Sequence, residues 1–244
     1  MNTHSKRIAL VTGANKGIGY ETARQLGALG YRVWLGARDG ARGEASAQAL
    51  RDLGHDVRFV QIAVEDDASV QAAAQSIADT DDRLDLLINN AGIPGNYADP
   101  LAQGLDDIRS VYETNLFGPI RVIYACLPLL KAGKNASIVN VSTGLASLAW
   151  LSDPQNPYYG VNLLGYNSSK TALNAATVSF AKALSPFGIR VNCVSPGYTK
   201  TDFTNHAGYR SAEEAAASVV HIATHDDADM TGGFFHEDGT RLPW

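Results

Sequence analysis

Ile8-Ala9-Leu10-Val11-Thr12-Gly13-Ala14-Asn15-Lys16-Gly17-Ile18-Gly19 passes from four apolar residues straight into a glycine-spaced turn. The residues beyond it, Ile18 to Leu29, carry helical periodicity, so the segment reads strand, tight turn, helix. That context gives the glycines their meaning. Glycine permits a sharp turn and lets the backbone approach a ligand closely, while the free N–H groups and dipole of a helix start favour an anion such as a pyrophosphate. A glycine triplet by itself marks a plain strand-to-helix turn about as often. Here the strand before and the helix after weigh toward an anion cradle. The spacing, TGxxxGxG, departs from the commonest dinucleotide fingerprint, in which two glycines stand one residue apart.

Working outward, short apolar runs alternate with helical patterns along the whole chain, the signature of βαβ units wound on a parallel sheet. Strands are predicted at Ile8–Val11, Arg32–Leu35, Val57–Ile62, Leu84–Ile88, Ser137–Val141, Ile189–Val194 and briefly near Phe234. Helices are predicted at Ile18–Leu29, Arg42–Leu53, Asp67–Asp79, a long stretch from Asp106 to Lys131, Tyr166–Leu184 and Ala212–Ala223. Two irregular stretches, Ala149–Leu164 and Gly197–Arg210, are long for connections inside a compact domain and are assigned to the substrate side.

The 244 residues suit one domain spanning 1–244. Hydrophobic content of 45% with 18% charged residues is ordinary for a globular chain, and a formal charge of −5 offers no general attraction to nucleic acid or anionic membranes. Two cysteines, Cys126 and Cys193, make no disulfide framework, and the six histidines show no metal-ligand spacing. The opening Met1 to Lys6 is polar and no run reaches the length of a membrane span, so a cytoplasmic protein is expected.

Two further motifs carry chemistry. Asn89-Asn90-Ala91-Gly92 follows the fourth strand, and Tyr166-Asn167-Ser168-Ser169-Lys170 places Tyr166 and Lys170 on one helical face. A free phenol titrates near pH 10, too high to exchange protons readily at neutrality, and a neighbouring ammonium favours the phenolate. With the TGxxxGxG turn, in this order, the motifs resemble the short-chain dehydrogenase/reductase family, in its short, single-domain, carbonyl reductase-like branch, across Thr12 to Thr201.

The resemblance implies a Rossmann-type, doubly wound, seven-stranded parallel sheet and hydride transfer between NADP(H) and a small apolar ketone, aldehyde or secondary alcohol. It implies that Tyr166, Lys170, Asn115 and a hydroxyl at the end of the fifth strand form the catalytic group, Asn115 through a water relay passing the lysine. Counting from Asn140 gives that hydroxyl to Thr143; a one-residue bulge would give it to Ser142. Because side chains alternate along a strand, the two are expected to diverge. The cofactor is expected on Gly13, Asn15, Lys16, Gly17, Ile18 and Gly19, on Val64, Asn90, Ala91 and Gly92, with Asn89 on the same side, and on Tyr166 and Lys170. The turn Pro196, Gly197, Thr199, Thr201 is expected against the nicotinamide carboxamide.

Ala37 stands where the NAD-preferring pattern has an acidic residue, and Arg38 with Lys16 offers cations for a 2′-phosphate, so NADPH is expected over NADH. Ala63 replaces the aspartate that many members aim at the adenine. Leu145, Trp150, Tyr158, Tyr159, Tyr198 and Phe203 either line an apolar pocket or pack their own loops. The stretch Val122–Leu130 is core or a homodimer or homotetramer face; the long interval from Thr143 to Tyr166 weighs against assembly, but an oligomer is still expected over a monomer. A catalytically silent nucleotide-binding sensor is the competing reading; the intact Tyr166, Lys170 and Asn115 argue against it.

Overall fold

Seven strands lie in one sheet, all parallel, in the order β3-β2-β1-β4-β5-β6-β7. The computed structural model describes residues 6–227 and 229–244; Ala228 and most of the polar opening segment lie outside the described residues. In chain order the elements begin β1 Ile8–Val11, α1 Gly17–Ala28, β2 Arg32–Ala37, α2 Gly40–Asp52, β3 Val57–Gln61, α3 Asp67–Ala78 and β4 Leu86–Asn89. They continue with α4 Leu105–Tyr112, α5 Gly118–Ala132, β5 Ser137–Val141, α6 Leu148–Leu151, α7 Leu164–Leu184, β6 Arg190–Val194, α8 Ala212–Thr224 and β7 Phe234–Phe235.

The strands read as near-continuous apolar runs because both faces of the sheet are covered. Every residue of β1, β4, β5 and β6 is buried. Along β1, Ile8 and Leu10 join the core with Val70 and Ile77 of α3 and Val122, Ile123 and Cys126 of α5. Ala9 and Val11 face the other way, onto Leu26 of α1, Leu50 of α2 and Val219 of α8. The strand order reverses between β1 and β4, and such a switch point opens a crevice at the strands' carboxyl ends.

Several boundaries differ from expectation by a residue or two, and three differences have a clear local cause. The predicted strand start at Leu84 belongs to a connection, where Leu84 donates to the Leu129 carbonyl and pairing begins only at Leu86. Ile189 likewise donates to the Leu184 carbonyl instead of joining the sheet. The long helix from Asp106 to Lys131 is interrupted by one wide π turn, Glu113–Phe117, between α4 and α5. Among the described residues no helix is long and apolar enough to cross a membrane.

Candidate active site

The crevice is laced together by the motif residues. The Thr12 hydroxyl accepts from the backbone N–H of Asn90 at 3.0 Å and of Ala91 at 3.1 Å. Asn90 returns two bonds from its side-chain amide, to the carbonyls of Thr12 and Gly13. Close approach then demands the glycines. Gly13 has φ +63, and a Cβ there would stand 2.8 Å from the Ala91 Cα. A Cβ on Gly19 would meet the Asn90 amide nitrogen at 2.4 Å.

Helix α1 starts differently from its neighbours. Asp39, Asp66 and Ser211 cap α2, α3 and α8 with side-chain oxygens, whereas Lys16 at the α1 N-cap supplies no such bond and the first turn holds no acidic residue. The first-turn N–H groups beside Gly17 and Ile18 are thereby left to an external acceptor, which fits a dinucleotide pyrophosphate in the glycine cradle. Asn15 is tied to α2, its carbonyl accepting from Ser46 at 2.9 Å. Lys16 Nζ lies 2.6 Å from Asp202. Arg38 is exposed, 3.6 Å from Glu65. Val64 is buried, and its carbonyl accepts from Arg121. The Ala63 N–H is taken by Ser69, and no carboxylate stands at that position.

The catalytic candidates converge on helix α7. Lys170 is buried and donates to the Val141 carbonyl at 2.8 Å. The Thr143 hydroxyl lies beside the Tyr166 hydroxyl, near enough to favour its ionised form. Ser142 turns to a different place on the same helix, donating to Asn174 at 2.7 Å in the core. The two neighbouring hydroxyls therefore diverge, and the one at Tyr166 is the threonine.

Burial pushes the Tyr166 phenol up, with only the nearby Thr143 hydroxyl opposing it. The expected lowering by the adjacent ammonium is overturned for this arrangement, because Lys170 is directed at a backbone carbonyl and burial outweighs the rest. Burial also brings Lys170 down to about 8.

Asn115 sits buried inside the π turn. Its side chain clasps the segment after Gly92: it accepts from the Ile93 N–H at 2.9 Å and donates to the Ile93 carbonyl at 2.9 Å and to Ser169 at 3.1 Å. A Cβ on Gly92 would lie 3.2 Å from Asn115 Oδ1 and 3.6 Å from Lys170 Nζ, so the three meet at one point. Asn89, the last residue of β4, is buried in the sheet and donates to Asn140, which in turn donates to Thr177.

The turn after β6 is also partly engaged. Pro196 is shielded, Gly197 has φ +81, and a Cβ there would overlap Glu237. The Thr199 carbonyl accepts from the Thr204 hydroxyl, and Thr201 presents its methyl toward Gly17.

Of the aromatic candidates, Phe203 lies against Tyr166 with ring centroids 5.5 Å apart. Trp150 and Tyr158 stack on each other at 5.4 Å over Gly144, packing their loop. Leu145 donates its N–H to the Thr143 hydroxyl. Tyr159 and Tyr198 are exposed.

Sequence reasoning missed Tyr97, whose hydroxyl donates to the Phe203 carbonyl at 3.0 Å. It also missed Glu237, which accepts from Tyr209 at 3.0 Å and pairs with Arg210 at 3.1 Å. Tyr209 thereby ties the stretch 197–210 to the residues after β7, and the Tyr158 hydroxyl of the other irregular stretch lies close to it. Tyr97 follows the carboxyl end of β4, where the sheet's own geometry points; Glu237 has no local signal.

A family model described as short chain dehydrogenase matches residues 7–211. A short-chain dehydrogenase, anuI, of Penicillium roqueforti is 36% identical, over 98% of this chain and 96% of its own. A (+)-neomenthol dehydrogenase of Arabidopsis thaliana is 32% identical, over 96% and 97%. Among solved structures, NADPH-bound carbonyl reductase from chicken fatty liver superposes with a TM-score of 0.87 at 30% identity, covering 98% of this chain and 99% of its own.

Proposed function

This chain belongs to the short chain dehydrogenase family, and on that premise we propose that Tyr166, Thr143 and Lys170 interconvert a small apolar ketone or aldehyde and its alcohol. The chain is a nicotinamide-dependent oxidoreductase; a silent sensor is not favoured. The observation that carries the residue assignment is the approach of the Thr143 hydroxyl, just past β5, to the Tyr166 hydroxyl on α7, with Lys170 on the same helix.

NADP(H), when bound, supplies or takes up the hydride at the carbonyl carbon. The raised Tyr166 phenol is protonated at neutral pH and so is ready to give its proton to the carbonyl oxygen. Thr143 orients that oxygen with a second donor and steadies the charge that develops on it. Lys170, fixed beneath by the Val141 carbonyl, places a cation near the phenolate that remains. Asn115 keeps the Ile93 segment at the rim of the crevice. Phe203 supplies an apolar wall against Tyr166, in keeping with a substrate of neomenthol's size and polarity.

NADPH is the preferred cofactor in this reading. Ala37 is buried and offers no carboxylate to ribose hydroxyls, and Lys16 and Arg38 stand exposed for a 2′-phosphate. The NADPH-bound relative supports the same choice. Two further readings belong with it. Cys126 and Cys193 are free and buried, which suits the reducing cytoplasm. The exposed Tyr124 of α5, edge-on to Phe180 of α7, favours pairing of two copies there; light scattering giving a monomer at micromolar concentration would remove that part.

The deciding experiment is NADPH oxidation on a panel of cyclic and acyclic ketones. Turnover that Tyr166→Phe abolishes supports the assignment. Wild-type turnover by Tyr166→Phe across the active substrates would overturn it.

A further inference from the structure

We propose that Asp202 competes with the cofactor's 2′-phosphate for the Lys16 ammonium and so sets how far the protein discriminates NADPH from NADH. The inference rests on the reading that Lys16 receives that phosphate.

Lys16 and Asp202 are far apart in sequence, one in the phosphate turn and the other in the stretch from Gly197 to Arg210, yet their charged atoms stand 2.6 Å apart. The hydrogen bond and charge of Lys16 hold the Asp202 carboxyl below the usual carboxylate range, with help from His206. Thr201 packs over Gly17 beside this contact, so the bridge crosses the cradle where the cofactor must lie.

The two partners are not equally free to move. Asp202 is held from its own side by His206, whose Nε2 is 3.0 Å from the second carboxylate oxygen. His206 and Asn205 reach back through consecutive left-handed conformations, φ 60 and φ 49, which side chains other than glycine seldom adopt. The Thr204 hydroxyl accepts from the Thr201 N–H and closes the same turn. Lys16, by contrast, is a point charge on a flexible stem.

Lys16 and Asp202 side chains are 61% and 58% exposed, so solvent screens the pair and it is weak. A phosphate monoester carries about −1.5 to −2 charge at neutral pH and outbids a single carboxylate for the ammonium. NADPH binding therefore separates Lys16 from Asp202 and leaves the carboxylate with His206 alone near a dianion. NADH brings no such group and leaves the pair intact. Arg38 is less restrained, since Glu65 stands 3.6 Å away. Asp202 is thus the stronger brake on the phosphate site.

Fluorescence titration of NADPH and NADH on the wild type, Asp202→Asn, Lys16→Met and the double variant tests this, with dissociation constants as the readout. Asp202→Asn is expected to tighten NADPH by about two- to fivefold, the range open to an exposed pair, with NADH nearly unchanged. In the double variant that gain should vanish. If Lys16→Met fails to weaken NADPH selectively, the assignment of Lys16 falls and the competition with it. If Lys16→Met does weaken NADPH but Asp202→Asn leaves the ratio unchanged or lowers it, the competition alone is overturned. A gain that survives in the double variant would also overturn it, by showing that Asp202 acts without Lys16.

Discussion

The Thr143 hydroxyl lies beside that of Tyr166, while Ser142, one residue earlier, donates to Asn174 at 2.7 Å on another turn of α7. Adjacent hydroxyls at the end of β5 are thereby divided between the crevice and the core.

Thr143→Val, which keeps the shape and deletes the hydroxyl, should lower kcat/KM by about a hundredfold, the scale of one lost oxyanion donor. NADPH affinity should persist. Ser142→Ala should instead cost about 1 kcal/mol of stability, with activity near wild type. Steady-state kinetics and urea unfolding on both variants separate the roles, and the reverse ranking would transfer the catalytic hydroxyl to Ser142.

Lys170 makes stability depend on pH. It titrates at about 8 in the fold against 10.5 ordinarily. Between those values the unfolded chain holds a proton that the folded chain lacks, so this group's contribution to stability rises with pH. Tyr166, Cys126 and Cys193 are raised by burial and act in the opposite sense at high pH, because the fold keeps their protons longer. Comparing Lys170→Met with the wild type isolates the lysine: the difference in urea midpoint should change steadily from pH 8 to 10.5. A difference constant across that window would contradict the depressed lysine.

Gly13→Ala should weaken both NADPH and NADH. Its Cβ would press on the Ala91 backbone at 2.8 Å, at a φ of +63 that alanine resists. A destabilisation above about 1 kcal/mol is expected, read by thermal unfolding without cofactor.

Glu237→Gln should act at a distance from the chemistry. It removes the charge that pairs with Arg210 at 3.1 Å, with the two side chains only 15% and 18% exposed. KM should rise several-fold with kcat less affected, and limited proteolysis between residues 197 and 210 should quicken. Unchanged KM and unchanged cleavage would leave Glu237 without a positioning role.

The sheet and its switch point were legible because each strand is a short apolar run followed by a turn and a helix, a local pattern. Tyr166 and Lys170 were legible for the same reason, being four residues apart on one helix. The direction of the Tyr166 shift was not legible, since it depends on burial and on where Lys170 finds an acceptor, in this case the carbonyl of Val141. Asn115 was found as a residue but not in its bonds, because the π turn that aims it follows from packing. Glu237 and Asp202 were hidden because their partners lie far away along the chain.

The chain of contacts from Tyr158 through Tyr209 to Glu237 bears on how this scaffold could be diversified. Tyr166, Thr143 and Lys170 are anchored to helix α7 and the end of strand β5, so randomising the two irregular stretches would leave the chemistry in place. Those stretches meet where Tyr158 approaches Tyr209, however, and altering one alone removes a neighbour from the other. Libraries that recombine residues 149–164 and 197–210 as a matched set should yield more folded, active variants than libraries that vary either separately.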